Sequence, residues 1–394
     1  MMIYRKKVSM SSTSHFQIMP ENLVRVLKQL KTFQASNTSQ KLLNIVCGNE
    51  SADLDSIVST LAYAYFSYIH DPSKYILPVV NIPREDLKLR KDVTFLLGSH
   101  SISSDLLNFR EDLVNWQKQS LYDINYVLVD HNDVPAITND GPTNIAGIID
   151  HHKDLGLHAE SITKLSGPRI IQTAGSCSTL VFQYWNGILK HDSNSTEMIK
   201  EIVPLLLGAL LLDTDNMKNK VEPVDQAVFE QYKRILGSSF NTDSFYQQLR
   251  TAKDDINGLS INDILRKDYK EFRFASNVRC GIASVVKSLE WINEQYGEES
   301  IENACEKFMT EHSLDIFIIM NSFTRDGTFS KQIAFISEND NLLNELFKDL
   351  IPKLQLESIR DVSKRKLKCY RQGNVKASRK QVAPYVQESL EKYQ

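Results

Sequence analysis

NIVCGNESADLDS, residues 44–56, runs from a short apolar stretch through a glycine into two aspartates spaced two apart. Leu42 to Cys47 has the length of a fully buried strand, and it breaks at Gly48 before Asn49, Asp53 and Asp55. From Ser56 to Ile69 apolar side chains recur at helical spacing (Ile57, Leu61, Tyr65, Tyr68), which places both aspartates in the loop and first turn of a helix. Either Asp alone reads as an ordinary cap or dipole partner. The pair behind a glycine-broken strand points to chemistry.

The same pattern returns three times. Tyr126–Val129 ends in Asp130-His131-Asn132-Asp133, Ile145–Ile149 ends in Asp150-His151-His152, and the leucine-rich run Ile202–Leu212 ends in Asp213. The first two runs read as further buried parallel strands and the third as a buried helix, so their acids are expected to gather on one rim of a sheet. Hard carboxylates and imidazoles gathered there bind divalent metals, and an Asp beside two His can orient an imidazole by accepting its second ring proton.

Through Leu212 apolar strands alternate with helical patterns (Ser56–Ile69, Ser178–Leu189, Lys200–Leu212), the order of a parallel sheet covered by helices. Helix Gln226–Leu236 follows, and the polar SSFNTDS, residues 238–244, reads as a linker. Beyond it, Gly281–Val286, Asp315–Asn321 and Gln332–Ile336 are strand candidates, with one long helix Leu289–His312 and a shorter one Leu342–Leu350. The expected fold is therefore α/β: an N-terminal extension and helix (1–37), a parallel-sheet domain (38–237) and a smaller α/β domain (238–394). Neither a P-loop nor a GxGxxG fingerprint is present.

With 394 residues, 42% hydrophobic content and a net charge of −3, the chain suits two ordinary globular cores and excludes wholesale disorder. No apolar stretch approaches the length of a bilayer span, so no membrane partner is expected. The five scattered cysteines lack metal-type spacing and read as reduced thiols, with Cys47 and Cys177 as small buried residues. Residues 1–20 read as an extension rather than a transit peptide, which favours the cytoplasm over the mitochondrial matrix.

GNESADLDS, VDHND, DHH and LLLDT, in order, resemble the four motifs of the DHH phosphoesterases, and Ser378-Arg379-Lys380-Gln381 resembles the signature of the DHH-associated second domain. Within that family GNESAD, IPREDL, GSCS, DILRKDYKEF and RKQV resemble the fungal cytosolic exopolyphosphatase branch. The resemblance implies an active site in the interdomain cleft. It implies two divalent ions (magnesium, manganese or cobalt) on Asp53, Asp55, Asp130, His151 and Asp213, with Asp130 bridging. It also implies that His152, Lys270, Arg379 and Lys380 hold the reacting phosphates, with Ser378 beside them. Pyrophosphatases of the family carry His where this chain has Asn49. The amide oxygen of Asn49 is expected to be a weaker, harder ligand, giving one metal site more tolerant of magnesium.

From Arg360 to Lys380 nine Lys and Arg face a single acid, Asp361. Such a run is by default a solvated face. Beside a metal-carboxylate site it suggests a track for a long polyanion, with Lys364, Arg365, Lys366 and Lys368 holding inorganic polyphosphate, and Arg84, Arg90, Lys218 and Lys220 as weaker candidates. Gly175-Ser176-Cys177-Ser178 is read either as an anion site at a helix start or as a plain cap. The expected function is that of a monomeric exopolyphosphatase without specific nucleic-acid binding. A manganese-type pyrophosphatase, a prune-like phosphodiesterase and a non-catalytic polyanion-binding protein are the alternatives.

Overall fold

The computed structural model describes residues 21–36, 42–118, 122–133, 144–190, 195–274, 277–325, 327–359 and 366–392. The chain forms two compact units, Met1–Lys253 and Asp254–Gln394. The expected extension, residues 1–20, lies outside the described residues.

In the first unit six strands form one parallel sheet: β1 (Leu42–Cys47), β2 (Ile76–Val80), β3 (Asn108–Phe109), β4 (Asp123–Val129), β5 (Asn144–Asp150) and β6 (Arg169–Ile171). Their order is β3-β2-β1-β4-β5-β6. Chain progression reverses between β1 and β4, and a crevice opens outside the carboxyl ends of the strands at such a switch point. Gly48 to Asp55 leave β1 there, Asp130 leaves β4, and Asp150 to His152 leave β5. Topology alone thus gathers three of the four motifs.

The helices are α1 (Glu21–Ser36), α2 (Leu54–His70), α3 (Lys91–Ser99), α4 (Arg110–Lys118), α5 (Ala159–Leu165), α6 (Cys177–Leu189), α7 (Ser195–Asp213), α8 (Pro223–Leu236) and α9 (Thr242–Asp254). From Leu54 to Ser67 every residue of α2 is buried, which is why its sequence is apolar nearly all round. Leu205, Leu206, Leu207, Ala209, Leu210 and Leu211 of α7 are likewise fully buried, so the run read as a core helix is one. Its last residue, Asp213, carries the fourth motif.

The segment 238–244 runs into α9. Thr242 opens α9, Phe240 stacks edge-on against Phe245 at 5.2 Å, and Leu249 is fully buried in the first core. That apolar packing keeps α9 with the first compact unit, which ends at Lys253.

The second unit holds β7 (Tyr269–Arg273), β8 (Arg279–Val285), β9 (Ile316–Arg325), β10 (Thr328–Ile336), β11 (Leu356–Ser358) and β12 (Lys368–Gln372) in the order β11-β12-β10-β9-β8-β7. The β8–β9 pair is parallel and the others are antiparallel. Its helices are α10 (Ile261–Lys267), α11 (Leu289–Tyr296), α12 (Glu298–His312), α13 (Asp340–Leu354) and α14 (Arg379–Glu391). The single helix expected over 289–312 is two, because Gly297 sits at φ 79° and ends α11 before α12 starts. Leu342, Leu346 and Leu350 of α13 and Val382, Val386 and Leu390 of α14 pack on the sheet residues Ile282, Ile318 and Phe335.

All five cysteines are buried free thiols. No described helix is long and apolar enough to cross a membrane.

Candidate metal and phosphate site

Gly48 lets the strand end touch α2: a Cβ there would stand 2.1 Å from Ser56 Oγ. That hydroxyl accepts the Asn49 N–H at 2.8 Å and closes the turn. Asp53 is the N-cap of α2, accepting from the Ser56 N–H at 3.1 Å, so the ordinary capping role is real for this residue. Asp55, in the first turn of the helix, is buried.

Asp130 follows β4 with φ 62°, a left-handed conformation that Asp tolerates better than most residues. Its Oδ1 lies 3.2 Å from His151 Nε2 and 3.8 Å from His152 Nδ1, and His151 Nε2 lies 3.9 Å from Asp55 Oδ2. Donor atoms of Asp130, His151 and His152 all fall within 4.8 Å of one another, a spacing that suits a metal ion.

Each imidazole is aimed by its other nitrogen. His151 Nδ1 is 2.9 Å from the Ala174 carbonyl, which turns Nε2 toward Asp130 and Asp55. His152 Nδ1 is 2.8 Å from Asp150 Oδ1. Fully buried Asp150 is itself fixed by Asn132 Nδ2 at 2.5 Å from Oδ2, and burial opposed by the His152 and Asn132 hydrogen bonds leaves its carboxyl below the ordinary range. The side chain of His152 is 54% exposed, free to meet a ligand. His131 hydrogen-bonds the Val129 carbonyl through Nδ1, and its Nε2 is buried without a partner among the described residues.

The electrostatics call for a cation. Burial and the Asp55 charge push the Asp130 carboxyl well above its usual range, and burial with the charges of Asp55 and Asp53 does the same to Asp213. Burial also raises Asp55, against the opposing charge of His151. Burial opposes protonation of His151, but the Asp130 hydrogen bond and the Asp55 charge prevail and push it up to about 10. Asp213 Oδ2 is buried with no hydrogen-bond partner among the described residues. A cluster of carboxylates that repel one another, with an orphaned oxygen among them, has the donor chemistry of a divalent-metal site.

The amide oxygen of Asn49 accepts from the Ser51 N–H at 2.9 Å, the Ser51 hydroxyl at 2.6 Å and the Ala52 N–H at 3.2 Å, bonds that compete with metal ligation. Its NH2 group donates to Asp130 Oδ2 at 2.7 Å and to the Asp130 carbonyl at 3.1 Å. A flipped amide would set oxygen against carboxylate and donor against donor, so the network fixes the assignment. Asn49 therefore ties the β1 loop to Asp130. Asn49→His is expected to place a ring nitrogen beside Asp130 and to tighten manganese more than magnesium, about tenfold or more by calorimetry. An unchanged preference would show that this position never reaches the ion.

The Gly175–Ser178 turn is not a free anion site. Its Cys177 and Ser178 N–H groups are taken by Asp55, at 2.6 Å to Oδ2 and 2.8 Å to Oδ1. The start of α6 serves to hold that carboxylate. The Ser176 hydroxyl, 2.8 Å from that of Ser178, opposes the rise of the Asp55 and Asp213 carboxyls, and the Gly175 N–H is held by buried Asp225 at 2.6 Å. Asp225 carries no sequence signal of this role.

In the second unit Lys270 and Lys380 are exposed. Arg379 donates to Asp268, and the Ser378 hydroxyl donates to Gln381 Oε1 at 2.7 Å in the capping box of α14. The basic run is less uniform than its composition. Lys364 and Arg365 lie outside the described residues, and Lys368 opens β12. Lys366 is ion-paired with Glu306 at 2.6 Å and Glu338 at 2.9 Å, so its charge is already met by two carboxylates. Arg84 is paired with Asp112 at 3.2 Å, and Arg90 donates to the Ser51 carbonyl. Lys218 and Lys220 are exposed beyond Asp213.

Residues 44–210 match the DHH family, N-terminal domain, and residues 247–389 match the DHHA2 domain. A Schizosaccharomyces pombe protein named "Putative exopolyphosphatase" is 32% identical, covering 94% of this chain and 97% of its own. The Rattus norvegicus "Exopolyphosphatase PRUNE1" is 28% identical over 92% of this chain and 79% of its own. A manganese-dependent inorganic pyrophosphatase of Methanothrix thermoacetophila is 25% identical over 70% of this chain and 79% of its own. Among solved structures, one titled as a putative family II inorganic pyrophosphatase of Methanococcus jannaschii shares the fold. Its TM-score is 0.55 at 18% identity, with 89% of this chain and 100% of that one covered.

Proposed function

Because the chain belongs to the DHH family, with the DHHA2 domain following the DHH domain, we propose that it is a metal-dependent exopolyphosphatase releasing orthophosphate from the ends of inorganic polyphosphate. The observation that carries the reading is the Asp130-centred donor group at the β1/β4 switch point. It lies in a chain aligned almost end to end with a relative named for that activity.

Asp53, Asp55, Asp130, His151 and Asp213 would hold two divalent ions, magnesium, manganese or cobalt. Bound there, such ions lower the pKa of water and draw charge from phosphate oxygens. The protein's own residues do the rest. Asp150 holds His152 with its Nδ1 engaged, leaving Nε2 for a phosphate oxygen. Lys270, Arg379 and Lys380 neutralise charge that builds on the reacting phosphates. The α6 start and Asn49 keep Asp55 and Asp130 from drifting apart under their mutual repulsion.

The test is orthophosphate release from long polyphosphate, tripolyphosphate and pyrophosphate in parallel, with each of the three metals. Long chains or tripolyphosphate should be preferred, and pyrophosphate as the best substrate would sink the reading. In the same assay, neutralising Lys364, Arg365, Lys366 and Lys368 together should raise KM for long chains several-fold, roughly, and flatten their salt dependence while sparing tripolyphosphate. Equal losses on both substrates would remove the track. With Lys366 already paired to Glu306 and Glu338, little of the effect is expected from it.

A further inference from the structure

Arg379 and Asp268 stand 111 residues apart in sequence, yet the arginine's guanidinium is built into the end of the β7–β8 hairpin. Nη1 donates to the Asp268 carbonyl at 3.0 Å and to the Ile282 carbonyl at 3.3 Å, and Nη2 donates to Asp268 Oδ1 at 2.6 Å. The arginine side chain is only 17% exposed, while Asp268 is 48% exposed. The Asp268 carbonyl also accepts the Ser284 N–H at 2.8 Å, so the acceptor is fixed by the strand rather than by a loop. Nε makes no hydrogen bond among the described residues. Lys270 pairs in register with Ile282, the residue whose carbonyl Arg379 also grips, so the two cations share this end of the sheet.

From this geometry we infer that Asp268 is a positioning residue for phosphoryl transfer: it locks Arg379 in one orientation, with the Nε edge left for a phosphate oxygen, beside Lys270. The inference rests on the proposed polyphosphate hydrolysis. Its physical content is preorganisation. An unheld arginine gives up considerable rotamer freedom when it grips a ligand, whereas one held by three acceptors has already lost it. The carboxylate also has an opposing effect, because a negative charge beside the guanidinium weakens its pull on a polyanion.

These two effects predict a split that a purely structural ion pair would not give. Asp268→Ala should lower kcat on tripolyphosphate by about 10²-fold, the cost of a misplaced catalytic group. KM should stay the same or fall, since a repelling charge is gone. Asp268→Asn, which keeps an acceptor and the shape, should recover part of kcat. The double variant Asp268→Ala with Arg379→Ala should be no slower than Arg379→Ala alone, because both changes remove one function.

Wild-type kcat in Asp268→Ala would overturn the role. So would additive losses in the double variant, or a rise in KM at constant kcat. If Asp268→Ala fails to fold, Asp268→Leu, which keeps the bulk and removes the acceptor, carries the test, and a wild-type kcat there overturns it equally. A wild-type protein that releases no orthophosphate from any polyphosphate defeats the proposed function and the role of Asp268 with it. An active wild type with indifferent Asp268 variants defeats the inference alone.

Discussion

Asp130→Asn is expected to abolish measurable turnover, a loss of at least about a thousandfold, while making the metal-free protein no less stable. The carboxylate is the centre of the site: Oδ1 faces His151 at 3.2 Å and Oδ2 takes the Asn49 amide at 2.7 Å. An amide of the same shape can keep one of those contacts and suits the left-handed backbone at φ 62°. What it loses is the charge that lets cations sit close together. Without a cation that charge is a liability, since burial and the neighbouring Asp55 already oppose its ionisation. Thermal melts therefore provide a second reading. Manganese should raise the Tm of the parent protein and fail to raise that of the variant, by linkage of binding to folding. A variant that keeps both near-parent turnover and the metal-induced rise would show that Asp130 is not the bridging ligand.

Much of this site can be read from the chain because its parts are local. β1, as expected, runs from Leu42 to Cys47, and β4 and β5 end beside the Asp that each motif supplies, since a buried parallel strand must be apolar until it reaches the rim. The buried helix ending at Asp213 is signalled by its leucines in the same way. What escapes is whatever depends on the fold bringing distant residues together. Asp225 holds a backbone N–H 50 residues away, and Asp268 an arginine 111 residues away, and neither lies in a pattern that periodicity or spacing can reveal. Asn49 is hidden for a related reason: its residue type makes it a candidate ligand, and only the fold shows its oxygen accepting from Ser51 and Ala52 in the turn it closes. The place of α9 is likewise a matter of packing: its polar first turn resembles a linker until Leu249 is seen buried in the core.

Gly175→Ala should be nearly as damaging as the loss of Asp130, although Gly175 touches no substrate. A Cβ at this position would stand 2.5 Å from Thr214 Cγ2, 2.7 Å from the Lys220 carbonyl and 3.0 Å from Asp225 Oδ2. The first two are a methyl in the core and a backbone oxygen, neither of which can swing away, so the turn itself must move. Overpacking of that kind costs about 1–3 kcal/mol of stability. The functional cost is larger because of what hangs from the turn. Ala174 aims His151, Cys177 and Ser178 hold Asp55, and Ser176 serves Asp55 and Asp213. One displacement thus disturbs three proposed ligands at once, and shifts of the groups supporting each ligand typically weaken metal binding by about 10–100-fold. Calorimetry should show manganese affinity falling by at least that range, and raising the metal concentration should recover part of the turnover. The comparison variant is Gly187→Ala on the same helix α6, where an added Cβ meets nothing within 4 Å and both readings should stay at parent values. Parent metal affinity in Gly175→Ala would mean that the turn yields freely and that Asp55, His151 and Asp213 are held by their own elements instead.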